Sequence, residues 1–192
     1  MIDKSKYICS APFNYTEVFD DRQYLCCPSW LPVDVWDGKS IQSSFNSTKS
    51  KEVRESILDG SYKYCDEKQC PYLSGLKNNV IASKFVKKDS NSLQQFGTHR
   101  KIETVNFCFD RSCNFQCPSC RSELINYYGK DREQVEKKLE EITNEISSTV
   151  KRLYLTGTAD PFYSKSFREF LETLDSTKFK KLKSIHLHTN GS

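Results

Sequence analysis

From about residue 101 the apolar positions alternate between two periods. Ile102 to Phe109 reads as a strand. Val135, Leu139, Ile142 and Ile146 then recur at helical spacing, and Glu133 lies one turn before Lys137. Ahead of them, Asp131-Arg132-Glu133-Gln134 has the form of a capping box. Val150 to Thr156 is a second strand, and Phe167, Phe170, Leu171 and Leu174 mark a second amphipathic helix. Ser184 to Thr189 is a third strand, running into Asn190-Gly191. Strand, helix, strand, helix, strand predicts right-handed crossovers and a parallel sheet, so residues 101–192 read as α/β.

Residues 1–75 have little regular periodicity and read as a small, cysteine-rich, mostly irregular α+β domain. A helix is predicted over about 48–59, with Val53, Ile57 and Leu58 on one face and Gly60 placed to cap its end. Asp20 to Trp30 looks like a hairpin that returns a thiol towards Cys9. Residues 76–100 are polar, with Val80, Ile81, Phe85 and Val86 as their apolar group, and read as a partly helical linking segment.

Composition sharpens this picture. Hydrophobic residues make up 36% of 192, thin for a self-sufficient core, yet the chain has nine cysteines. The start, Met1 to Lys6, leads into no apolar signal region, and no run approaches membrane-spanning length. Cysteine use of this kind favours metal ligation in a reducing, cytoplasmic protein over a disulfide framework. The net charge of +4 is mild. The runs Lys84-Phe85-Val86-Lys87-Lys88 and Lys178 to Lys183 read as solvated helix or strand ends, and nothing points to nucleic acid or to a membrane.

The cysteines fall into two sets. Cys113, Cys117 and Cys120 form a C-x3-C-x2-C loop directly after the first strand of the α/β half. Iron–sulfur clusters are normally held by four thiolates, so a three-cysteine loop leaves one direction open for another ligand. The other set is Cys9, Cys26 or Cys27, Cys65 and Cys70, four separated positions in a segment poor in core residues, which suggests a metal centre acting as local core. Cys108, opposite Phe107 and Phe109 on the first strand, reads as a packed residue, and a zinc site is the bland alternative for both sets.

The loop, with Gly157-Thr158-Ala159-Asp160-Pro161 after the second strand and Thr189-Asn190-Gly191 after the third, resembles the radical S-adenosylmethionine (radical SAM) family. The resemblance implies the first part of a partial (β/α) barrel. It implies a 4Fe-4S cluster on Cys113, Cys117 and Cys120 whose open iron chelates the methionine end of S-adenosylmethionine. Reductive cleavage then yields a 5′-deoxyadenosyl radical. Thr158, Ala159 and Asp160 would receive the SAM amino group, with Asn190 beside them. Where the family usually has an aromatic residue before the last cluster cysteine, this chain has Ser119.

Residues 1–75 are similar to the SPASM/twitch auxiliary iron–sulfur domain. The likeness rests on Cys9-x2-Pro12-Phe13, on Cys26-Cys27-Pro28 after a turn, and on Cys65-x4-Cys70-Pro71 after a helix. By that register Cys26 rather than Cys27 is the ligand, giving an auxiliary cluster on Cys9, Cys26, Cys65 and Cys70. An electron donor of ferredoxin or flavodoxin type is implied, with a peptide or small metabolite as substrate. His186 and His188, on one face of the third strand, read as packed, hydrogen-bonded histidines, with substrate binding or proton relay as the alternative; Arg121 beside the loop reads equally as a cluster or SAM contact and as a surface ion pair. The third repeat stops at its strand, so the sequence reads as the N-terminal portion of such an enzyme, inactive on substrate at this length. The competing class is a non-catalytic module stapled by zinc or iron–sulfur, for binding or electron transfer.

Overall fold

A computed structural model describes residues 2–97, 100–155 and 159–191. The chain divides into two compact units, Met1–Glu17 with Asp21–Ile102, and Val18–Asp20 with Glu103–Ser192. It is a mixed α/β protein containing a parallel sheet. No helix among the described residues is long and apolar enough to cross a membrane.

In chain order the first unit has β1 (Tyr7–Cys9), α1 (Ala11–Asn14), β2 (Tyr15–Val18, all but its last residue), β3 (Gln23–Tyr24), α2 (Ile41–Phe45), α3 (Thr48–Leu58), α4 (Pro71–Lys77), β4 (Phe85–Lys87) and α5 (Ser90–Gln95). The hairpin here is the β2–β3 pair, which starts earlier than the expected Asp20–Trp30: only β3 and the turn before it fall in that range. Buried Gln23 pins it, its Nε2 donating to Thr16 Oγ1 at 3.0 Å and to the Ile41 carbonyl at 3.0 Å. The predicted helix is α3. Its N-cap Ser47 accepts from Ser50 N, Val53 and Ile57 are buried, and Gly60 ends the turn at φ +87°. Only glycine fits there, because a Cβ would stand 2.8 Å from Ser5 Cα.

The stretch expected to link two domains instead supplies β4 and α5 and lies inside the first unit. β4 pairs antiparallel with β1, placing Cys9 opposite Phe85. The unit also has an apolar core where the sequence promised almost none. Ile8, Phe13, Ile57, Tyr62, Leu73, Leu76, Phe85 and Phe96 pack with Cys70. These residues are scattered over seven short elements and connections, so no periodic stretch announces them.

The second unit contains β5 (Thr104–Phe107), α6 (Gly129–Ile146), β6 (Arg152–Leu155), α7 (Lys165–Glu172) and β7 (Ser184–Leu187). β5, β6 and β7 are parallel neighbours, in register as Val105, Leu153, Ile185 and as Phe107, Leu155, Leu187. α7 packs on this apolar face, with Phe107 edge-on to Phe170, and Phe109 edge-on to Phe167. The opposite face carries a polar row, Asn106, Tyr154 and His186, in which Tyr154 and His186 stack 4.4 Å apart. α6 begins two residues before the expected cap. Asp131 already lies in its first turn, and the N-cap is Tyr128, whose side chain makes no capping hydrogen bond. The acidic residue therefore meets the positive end of the helix through charge rather than through a capping box.

Candidate metal centres

The four thiols expected to act together in the first unit line one cavity. Cys9, Cys26, Cys65 and Cys70 share its wall with Trp30, Tyr62, Tyr72, Lys84 and aliphatic side chains. Cys26, not Cys27, is the member of the pair that lines it. Each thiol is delivered by local chain geometry. Cys9 ends β1 against Phe85. Cys26 follows β3, and its arm is tied down where Asp66 N donates to the Trp30 carbonyl at 2.8 Å. Cys70 sits at the head of α4, its amide donating 2.9 Å to the Asp66 carbonyl. The Asp66 carboxylate closes that turn by accepting from Lys68 N and Gln69 N at 2.8 and 3.0 Å.

Tyr62 joins two of the arms and was not singled out by the sequence. Its backbone has φ +52°, an unfavourable conformation for a residue with a side chain. That turn lets its carbonyl accept from Cys65 N at 2.9 Å. Its buried hydroxyl accepts from Cys9 N at 3.1 Å and donates to the Tyr7 carbonyl at 2.8 Å. The sequence does contain a trace of this arrangement. An aromatic residue stands near each thiol pair: Trp30 after Cys26-Cys27, Tyr62 before Cys65, and Tyr72 after Cys70.

Electrostatics describe the same gathering. Burial, then the neighbouring Cys70 thiol, pushes Cys9 up to about 11. Burial, with Cys9 and Cys70 next, pushes Cys65 up to about 12. Cys26 is raised by burial first and by Cys9 second. Without a bound cation these thiols therefore stay protonated. A soft metal centre reverses that balance, because thiolate sulfur is its preferred donor. The donor set and the apolar wall fit such a centre. Among the described residues, no three His, Cys, Asp or Glu side chains are already drawn together at the spacing of a single bound ion.

The second set is different. Cys113 is half-buried, and its amide donates 2.8 Å to the Ile125 carbonyl in a one-residue antiparallel bridge. Cys117 and Cys120 are exposed on one tight turn, with Cys120 N donating to the Cys117 carbonyl at 2.9 Å. Amide and side-chain donors approach the sulfurs. Phe115 N lies 3.4 Å and Asn190 Nδ2 3.6 Å from Cys113 Sγ, and Arg121 Nη2 lies 3.7 Å from Cys120 Sγ. Arg121 also donates to the Arg111 carbonyl at 2.7 Å, which bends it back over its own loop. The three thiols lie within eight consecutive residues, so the fit here is one of donor chemistry on a local loop.

Asp160 ties that loop to the ends of β6 and β7. Its amide donates 2.9 Å to the Ser112 carbonyl. Its buried carboxylate accepts from Phe162 N and Tyr163 N on one oxygen, and from Thr189 Oγ1 and Asn190 N on the other, at 2.7 to 3.1 Å. Burial alone would raise its pKa, but the donors, Thr189 foremost, outweigh burial and hold it below the ordinary carboxylate value. A carboxylate has about four acceptor positions. All are used within the fold, so Asp160 organises the strand ends rather than offering a free acceptor. Asn190 completes the link, its Nδ2 donating to Asn114 Oδ1 at 2.8 Å. Ala159 is half-buried beside Asp160, while Thr158 lies outside the described residues. His186 and His188 are exposed on β7 and just after it, and Cys108 is buried.

No protein-family model, no curated protein and no solved structure matches this chain.

Proposed function

We propose that the chain is a radical SAM protein, or the first part of one, with an auxiliary thiolate-held centre in its first unit. The observation that carries this reading is the knot at the strand ends. Cysteine loop, Asp160 and Asn190 come from three consecutive parallel strands, yet direct hydrogen bonds join them. Parallel α/β folds place reactive groups at the C-terminal ends of their strands. In this reading β5, β6 and β7 open a partial barrel. Cys113, Cys117 and Cys120 hold a 4Fe-4S cluster, and Cys9, Cys26, Cys65 and Cys70 hold the auxiliary one. The catalytic cluster, when bound and reduced, supplies the electron that cleaves S-adenosylmethionine.

The chain's own residues position and bind. Asp160 fixes Asn190 and its own following residues, Phe162 and Tyr163, so that Ala159 and Asn190 would lie towards the methionine end of SAM; Thr158, the third residue the resemblance implies, lies outside the described residues. Donors near Cys113 and Cys120 offset thiolate charge, a known lever on cluster potential. A ferredoxin- or flavodoxin-type donor would deliver the electron, and the substrate class is a peptide or small metabolite.

A second reading is a zinc-stapled or electron-transfer module, favoured by one observation: an apolar cavity lined by four thiols suits zinc as well as iron–sulfur. Anaerobic reconstitution with iron and sulfide, followed by SAM cleavage under reductant, separates the two. Bound sulfide with 5′-deoxyadenosine formation is expected. Tightly held zinc with no sulfide would establish the binding module, and clusters indifferent to SAM would establish the electron-transfer module.

A further inference from the structure

The cavity lined by Cys9, Cys26, Cys65 and Cys70 has one component that thiol ligation alone does not require. Lys84 lies in its wall. Its ammonium sits 4.4 Å from the ring centroid of Tyr72 and 5.9 Å from that of Trp30. Those two rings meet edge-to-face at 5.4 Å and both line the cavity. The backbone holds Lys84 in place, since Ser10 N donates 2.8 Å to its carbonyl and the next residue, Phe85, pairs with Cys9.

Charge makes the placement informative. Four thiolates around a divalent ion or a dipositive cluster leave a net negative centre. Burying that charge against an apolar wall is costly unless a cation lies nearby. Lys84 is the lysine that lines this cavity, and it makes no ion pair with a carboxylate among the described residues. Lys4, by contrast, is ion-paired with Glu67. A lysine ordinarily seeks water or a carboxylate; this one rests on two rings in the wall of the thiol cavity.

We propose that Lys84 is the charge partner of the four-thiolate centre, held on the Trp30–Tyr72 pair so that its ammonium stabilises the metal-loaded, anionic state. This rests on the reading that these four thiols bind metal. It makes Lys84 a positioning and tuning residue rather than a ligand, and gives Trp30 and Tyr72 a role as its platform.

The test uses cobalt(II) as probe in the full chain carrying Cys117→Ala and Cys120→Ala, so that one centre reports. Affinity is measured by competition with a chelator, following the thiolate-to-cobalt absorption. Lys84→Gln is expected to weaken cobalt binding on the order of tenfold, the worth of one unit charge at a partly buried site. Lys84→Arg should stay within about threefold of the parent, because the charge is kept. Equal affinity for Lys84→Gln and the parent, with binding abolished by Cys65→Ala, would overturn the role of Lys84 while leaving the metal centre intact. A parent protein that gives no thiolate–cobalt band would overturn both.

Discussion

Cys9, Cys26, Cys65 and Cys70 are embedded in structure, whereas Cys117 and Cys120 hang from it. The first set draws on β1, the β3 arm, the turn after α3 and the head of α4, with Tyr62 hydrogen-bonded to two of those arms. The second set occupies one loop, braced from outside by Asn190 and folded over by Arg121. A donor set gathered around one cavity stabilises a fold, while a set on an exposed loop leaves room for a further ligand. In the proposed function the two sets would have separate jobs: structural and electronic support for one, chemistry for the other.

The largest effect separates the two sets outright. Cys65→Ala with Cys70→Ala should remove the first centre and lower the stability of the first unit by several kcal/mol, since metal binding to a structural site is folding energy. Cys117→Ala with Cys120→Ala should abolish SAM cleavage yet melt within a few degrees of the parent. Circular dichroism melts of both doubles read this directly, and equal losses would erase the contrast.

Next in size is Asp160→Asn. The amide turns an NH2 group towards either the Thr189 and Asn190 donors or the Phe162 and Tyr163 amides. The expected loss in the second unit is about 2–3 kcal/mol near neutrality. The sign with pH follows from a folded pKa held below the ordinary value. The carboxylate contribution is present above the unfolded pKa and disappears as pH falls through the folded one. Parent and variant should therefore converge in acid; denaturant midpoints across that range test it.

The thiols of the first unit give the opposite sign. Cys9 and Cys65 are raised to about 11 and about 12 when no metal is bound. Metal-free protein should keep their contribution below about pH 9 and lose it as pH rises through those values. Metal-loaded protein should not show this alkaline loss, because its thiolates are already charged. Urea midpoints with and without metal provide the check. Smallest is Tyr62→Phe, which removes a hydroxyl that both accepts from Cys9 and donates to Tyr7. It should cost about 1 kcal/mol and loosen metal in the first unit only.

The sequence made the second unit readable because its core is periodic. Val135, Leu139, Ile142 and Ile146 are all buried on α6, and Val105, Phe107, Leu153 and Leu155 are buried on two neighbouring strands. The start of α6 was misplaced because Asp131 suits a cap and a first turn equally well. In the first unit no such period exists. Lys84 reads as a solvated strand end because a charge run does not reveal that one member lines the thiol cavity. Asp160 was legible as an acceptor, but not as one filled by four donors. Those donors are local on one side and about thirty residues distant on the other.

The central claim is that one centre is open to SAM and the other closed. It is tested most directly by electron paramagnetic resonance of the reconstituted, reduced protein with and without SAM. The account predicts two iron–sulfur signals, of which SAM shifts one. That one vanishes in the Cys117→Ala, Cys120→Ala protein and survives in the Cys65→Ala, Cys70→Ala protein. A SAM-induced shift in the signal that depends on Cys65 and Cys70, or no shift in either, would contradict it.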